Sequence, residues 1–207
     1  MKLECGCNYC VRNTYIWLLK NDIIWVEIPK NGSYNLKQFR LNYNSEHPIE
    51  LQPNALISKI HNIDLNLHKR GFVILRNPID RFKSLVSHYF IQGSRAHLGK
   101  HWLNSMGIYS WGNNDILDVV FENWDNIGNI SEPHHFNSQA SFIPSEFFQM
   151  NHMVYNVDEI SFMFGLQAGI NSSGSSNIKI SEDNLEKIID IYKDDVELYK
   201  KYFNVSL

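Results

Sequence analysis

Two short runs of β-branched and apolar residues, each ending at a turn marker and giving way to a helical pattern, constrain this chain most. Ile23-Ile24-Trp25-Val26-Glu27-Ile28 stops at Pro29, and Gly71-Phe72-Val73-Ile74-Leu75 stops just before Asn77 and Pro78. Runs of that length and composition predict buried strands. Beyond the first, 33–41 reads as a helix after a short turn. Beyond the second, Asn77 suits an N-cap and Pro78 a first helical residue, with Ile79, Phe82, Val86, Tyr89 and Phe90 on one apolar face through about residue 91. Met153-Val154-Tyr155 is a third strand candidate, followed by a helix over about 157–166. Ser181 caps a last pattern in which Leu185, Ile188, Ile189, Tyr192, Val196, Tyr199 and Phe203 keep helical spacing for about six turns. Strands alternating with helices predict an α/β fold, with a central parallel sheet covered on both faces in three α/β/α layers.

A length of 207 residues suits one domain, 1–207. Within it, about 93–141 is rich in Asn, Gly, His and Trp with weak periodicity, and reads as a substrate-side insertion or lid. The Ser/Gly/Asn stretch 171–177 reads as a loop. There is no internal repeat.

The charge balance narrows the partners. With 19 Lys+Arg against 22 Asp+Glu, the formal net charge is −3, so no global field draws nucleic acid or an anionic membrane. An anion site has to be built locally. The most apolar N-terminal stretch, 15–28, is interrupted by Lys20, Asn21, Asp22 and Glu27, and no signal-peptide pattern precedes it. The expectation is a soluble, cytoplasmic chain. Cys5, Cys7 and Cys10 are the only cysteines, which is not a disulfide framework. With His97 and His101 they raise zinc as an option, but no Cys-x-x-Cys pair or His-Glu-x-x-His run supports it. The expectation is no metal.

Both strand–turn–helix units are suited to anions. In the first, Gly32 permits a tight turn where a strand gives way to a helix, whose outward N–H groups carry partial positive charge. Lys30 adds a full charge there and Ser33 a hydroxyl. The lysine precedes a single glycine, so this is not a Walker A loop, and a nucleotide kinase is disfavoured. In the second unit, Arg76 stands at the carboxyl end of a strand, where open α/β sheets bind ligands. Asp80, Arg81, Ser84 and His88 then share one polar helix face by three- and four-residue spacing. Arg76 and Ser84 can hold a second phosphate with a planar fork of donors and a hydroxyl.

In this order the two units resemble the nucleotide signatures of sulfotransferases that use 3′-phosphoadenosine 5′-phosphosulfate (PAPS). Ile28-Pro29-Lys30-Asn31-Gly32-Ser33 is similar to the family's 5′-phosphosulfate loop, with Tyr34 and Asn35 standing where the family has hydroxyl residues. Arg76-Asn77-Pro78 through Arg81 and Ser84 is similar to its 3′-phosphate motif. His134-His135-Phe136-Asn137-Ser138-Gln139 and Tyr192-Lys193-Asp194-Asp195 resemble the His-x-x-x-Gln and Tyr-x-x-Asp patterns of the compact carbohydrate-sulfotransferase branch, so the likeness spans about 23–203.

The resemblance implies a P-loop-kinase-like sulfotransferase fold and transfer of a sulfuryl group from PAPS to an acceptor hydroxyl. The acceptor is expected to be a glycan first and a small hydroxylated metabolite second. It implies PAPS contacts from Lys30, Asn31, Gly32, Ser33, Tyr34, Asn35, Arg76, Arg81 and Ser84, with Lys30 as the catalytic cation. A histidine suits the base. His61 comes first, because Lys59-Ile60-His61 resembles a Lys-x-His placement in cytosolic sulfotransferases. His134 and His135 follow, then His88. Trp102, Tyr109, Trp111 and Trp124 can stack on sugar rings or pack in a core. The competing expectation is a non-catalytic nucleotide- or glycan-binding protein on the same scaffold.

Overall fold

The computed structural model describes residues 16–19, 23–32, 70–112, 115–159 and 178–205. The expected helix over 33–41, the part of the 157–166 helix beyond residue 159, the loop 171–177 and the three cysteines lie outside the described residues.

Four strands form one sheet in the order β1 (Ile16–Leu19), β2 (Ile23–Val26), β3 (Arg70–Leu75), β4 (Asn151–Asn156). β2 runs parallel to β3 and β3 to β4, whereas β1 pairs antiparallel with β2. The architecture is mixed α/β, with three parallel strands as the expected element and β1 as an addition. Ile16-Trp17-Leu18-Leu19 is a compact apolar run, and the polar Lys20-Asn21-Asp22 after it is the composition of a chain reversal.

Side chains alternate across the parallel strands, and β3 from Gly71 on and β2 from Ile24 on are buried on both faces, while β4 leaves Asn151 and Met153 exposed. On one face Trp25 and Phe72, paired in register, stack with ring centroids 6.3 Å apart, and Tyr155 meets Phe72 edge-on at 6.0 Å. On the other face Ile24, Val26, Val73 and Leu75 pack with Phe147 and with Tyr199 of a C-terminal helix.

Asn77 caps α1 (Pro78–Val86), its side-chain oxygen accepting from the backbone N–H of Ile79 at 2.9 Å and of Asp80 at 3.4 Å. Such a cap is worth about 1 kcal/mol. The expected helix to about residue 91 changes pitch at Ser87, where 87–91 widen into a π turn, a geometry that often marks functional positions. The stretch 93–141 holds α2 (Ala96–Ser105), α3 (Ile116–Glu122) and several 3₁₀ turns. It sends Trp102, Leu103, Leu117, Val120, Phe121 and Phe136 into the larger apolar cluster, against Phe82, Leu85 and Tyr89.

Gly99 of α2 lies directly on the π turn. A Cβ at this position would sit 2.0 Å from the Tyr89 carbonyl oxygen, a backbone atom held by its own turn. Gly99→Ala is therefore expected to lower stability by about 1–3 kcal/mol or more, through overpacking rather than helix propensity, which favours Ala. Denaturant unfolding checks this; a gain in stability would show that α2 can shift freely.

The long C-terminal pattern is two helices, α4 (Glu182–Ile191) and α5 (Lys193–Phe203). Ser181 caps α4 by accepting from Asn184 N–H at 3.2 Å. The bend falls at Tyr192, with φ −111° and ψ 29°. Backbone pairing continues across it, since Tyr192 N–H donates to Ile188 and the Tyr192 carbonyl accepts from Val196. Its cause is tertiary. Tyr192 donates its hydroxyl to the Phe136 carbonyl at 2.8 Å, and Asp195 bonds to the same loop a few residues on. No helix among the described residues is long and apolar enough to cross a membrane.

Candidate functional site

The carboxyl ends of β2 and β3 lie side by side, and each leads into one of the anion-suited segments. After β2 the chain reaches Lys30 and Gly32 with φ of 71° and 79°. Asn31 N–H closes the turn onto the Ile28 carbonyl at 3.2 Å. Gly32 takes its positive φ without steric cost, while Lys30 holds the same region as a side-chain-bearing residue. Ser33, Tyr34, Asn35 and His61 lie outside the described residues.

From β3, Arg76 is half-buried and its Nη1 donates to the Lys30 carbonyl at 3.4 Å. One α1 turn later Arg81 is fully buried. Its Nε donates to the Pro29 carbonyl at 3.3 Å and its Nη2 to the His135 carbonyl at 3.1 Å. Arg81 thus ties the lysine turn to the 134–139 segment. Ser84 is buried on the same side and His88 half-buried, but Asp80 is exposed, so the expected four-residue polar face is divided.

Gln139 joins the two units. Its Oε1 accepts from Arg76 N–H at 3.0 Å and from Asn31 Nδ2, and its Nε2 donates to the Arg76 carbonyl at 2.8 Å. Asn31 Nδ2 also donates to the Ile74 carbonyl at 2.8 Å, which fixes the orientation of that amide. Asn31 Oδ1 is left buried with no hydrogen-bond partner. Asp195 holds the clamp from behind, accepting from Gln139 N–H at 2.8 Å and Ala140 N–H at 2.9 Å. The four segments singled out in the sequence therefore meet at one place.

The electrostatics there are lopsided. Burial, reinforced by Arg76, Arg95 and Arg81, lowers the Lys30 pKa to about 8. Arg81 has Asp195 as an opposing charge, and Arg95 forms an ion pair with Glu132. The charges acting on Lys30 are all cationic, so an incoming anion relieves repulsion there.

Burial also depresses His88, His134 and His135. His88 falls to about 4, helped by Lys30 and Arg95, and its Nε2 accepts from Arg95 Nη1, 3.1 Å away. His134 is lowered, and His135 lies well below the usual histidine range, with His134 and three cations adding to burial. His135 Nε2 stands 3.8 Å from Glu132 Oε2. All three are neutral near pH 7, the form a base needs, but their surroundings oppose the proton a base must accept.

Arg95, Glu132 and Gln139 stood outside the expected site. Gln139 carried a signal, the His-x-x-x-Gln pattern; Arg95 and Glu132 carried none. Glu132 takes the left-handed region, φ 59° and ψ 51°. Of the aromatic candidates, Trp102 is buried with Nε1 donating to the Asn126 carbonyl at 3.0 Å, Trp111 and Trp124 pack against the core, and Tyr109 is 74% exposed. His97 and His101 belong to no group of three metal-capable side chains among the described residues. No family model, curated protein or solved structure matches the chain.

Proposed function

We propose that this chain is a PAPS-dependent sulfotransferase of P-loop-kinase-like fold, acting on a hydroxyl of a carbohydrate or, second, of a small metabolite. The observation that carries the reading is the junction of the Lys30 turn and the Arg76 strand end at one sheet edge, with cations on both. Such an edge suits a ligand with two separated phosphates. On this reading Lys30 and the amides about Gly32 and Ser33 take the 5′ side, with Tyr34 and Asn35 as further donors. Arg76 and Ser84 take the 3′-phosphate, with Arg81 beneath them.

The acceptor oxygen attacks sulfur in line, the sulfur–oxygen bond to the 5′-phosphate breaks, and the leaving phosphate takes the electron pair. Lys30 neutralises the charge that develops on it. The acceptor proton goes to a base, for which His61 remains first choice because His134 is buried and His135 is half-buried among cations. Positioning and charge stabilisation dominate, by analogy with phosphoryl transfer.

Calorimetric titration with adenosine 3′,5′-bisphosphate, beside a labelled-sulfate transfer assay on an acceptor panel, tests the reading. Binding with transfer supports it, binding without transfer gives the non-catalytic alternative, and no binding sinks both. Affinity is also expected to depend on pH with a definite sign. Bound phosphate raises the lysine pKa above its free value of about 8. Between about pH 7, where the phosphates are fully charged, and pH 8 affinity is near its maximum, and it falls above that, by at most about tenfold per pH unit for one proton. Lys30→Arg, whose guanidinium stays charged, should flatten the fall. A wild-type profile that is level from pH 7 to 9.5 would remove Lys30 from the phosphate.

A further inference from the structure

The geometry points to Gln139 as the positioning residue that sets the distance between the two phosphate subsites. This rests on the bisphosphate reading and adds to it a residue that touches neither phosphate. In β3 the last residue paired with β4 is Leu75, opposite Asn156. Arg76 has left the ladder, and both polar groups of its backbone would otherwise need other partners. The Gln139 amide pairs with both, N–H at 3.0 Å and carbonyl at 2.8 Å, in the manner of one more strand residue. The same oxygen accepts from Asn31, the residue after Lys30.

One planar amide group thus bonds to the segment bearing each cation. Gln139 is itself 1% exposed, with its backbone N–H fixed on Asp195, so it has little freedom to follow either segment. Lys30 and Arg76 are held at a set separation before any ligand arrives, and a ligand with two phosphates gains most from that preorganisation. A ligand with one phosphate gains little.

That contrast supplies a readout which loss of stability cannot imitate. Destabilisation lowers the folded fraction and weakens every ligand alike, whereas loss of spacing weakens the bisphosphate selectively. The experiment titrates adenosine 3′,5′-bisphosphate and adenosine 5′-monophosphate into wild type, Gln139→Met and Gln139→Glu. Met keeps the length and volume of the side chain but none of its hydrogen bonds. Glu keeps both accepted bonds and loses the donated one, while adding a negative charge that weakens both ligands.

The expected result is a fall of about tenfold in the bisphosphate-to-monophosphate affinity ratio for Gln139→Met, with most of the ratio retained in Gln139→Glu. An unchanged ratio in folded Gln139→Met overturns the inference while leaving the bisphosphate reading intact. Should the Met variant fail to fold, a fall of about tenfold or more in the ratio of the Glu variant overturns it instead. If wild type binds neither nucleotide, the bisphosphate reading fails, and this inference with it.

Discussion

On the proposed function, Lys30→Gly is expected to cut sulfuryl transfer by about 10²–10³ while making the protein more stable. Lys30 sits at φ 71°, where an L residue with a side chain is strained by about 1–2 kcal/mol and glycine is not. Its ammonium is buried and pressed by Arg76, Arg95 and Arg81. Glycine relieves both burdens and gives back part of the gain through greater freedom of the unfolded chain, leaving a net increase on the order of 1 kcal/mol. On the proposed mechanism the same change removes the cation from the leaving phosphate, at about 10²–10³ in rate. Lys30→Ala should lose activity as fully without relieving the backbone.

The sign of the pH dependence follows from the same residue. The lysine pKa is about 8 when folded against an ordinary 10.5. Below 8 both states are protonated and the folded one bears the full penalty; between 8 and 10.5 the unfolded state binds more protons, so stability rises with pH. Lys30→Gly should lack that rise. Denaturant unfolding at two pH values and a labelled-sulfate assay read all of this. Near-normal turnover would take Lys30 out of the chemistry, and a large loss of stability would show that its ammonium makes a favourable contact.

The second large effect is expected at Asp195. Burial pushes its carboxyl above the ordinary value, against the pull of Arg81 and of the Ala140 and Gln139 amides. Holding a charge there is costly, yet removing it is worse. Asp195→Ala leaves two backbone N–H groups without their acceptor and Arg81 buried without its opposing charge. Each amide left buried without an acceptor costs about 1–3 kcal/mol, and the buried Arg81 loses the carboxylate that offsets its burial, together a large share of the stability of an ordinary domain. Asp195→Asn keeps one acceptor and should fall between. Urea unfolding of the three proteins decides it; an Asp195→Ala variant within about 1 kcal/mol of wild type would mean that the loop at Gln139 finds other partners.

The parallel strands, the Asn77 cap and the Ser181 cap were legible because each depends on local chemistry: β-branched runs, and side-chain oxygens set before helices. β1 was missed because a four-residue apolar run beside charged neighbours has too little length to show a period. The bend at Tyr192 was hidden for the opposite reason. Helical spacing runs straight through it, because Ile188 on one side and Val196 and Tyr199 on the other all bury apolar surface. What bends the chain is a hydroxyl and a carboxylate reaching a loop far away in sequence. Lys30's positive φ and the Arg95–Glu132 pair likewise depend on tertiary neighbours. The site segments could be named from their motifs, but the side-chain amide of Gln139 that fastens them leaves no periodic trace.

That fastening has a consequence for how the molecule comes into being. Asn31 and Gln139 are 108 positions apart, and Gln139 is 56 positions from Asp195. A ribosome adds about 5–20 residues per second, so the lysine turn waits for seconds before its clamp exists, and longer before the carboxylate behind the clamp emerges. The Lys30 turn, the Gln139 clamp and the Asp195 support are complete only after α5 has emerged, so a protease that removed α5 would take away the carboxylate behind the clamp without cutting anywhere near Lys30.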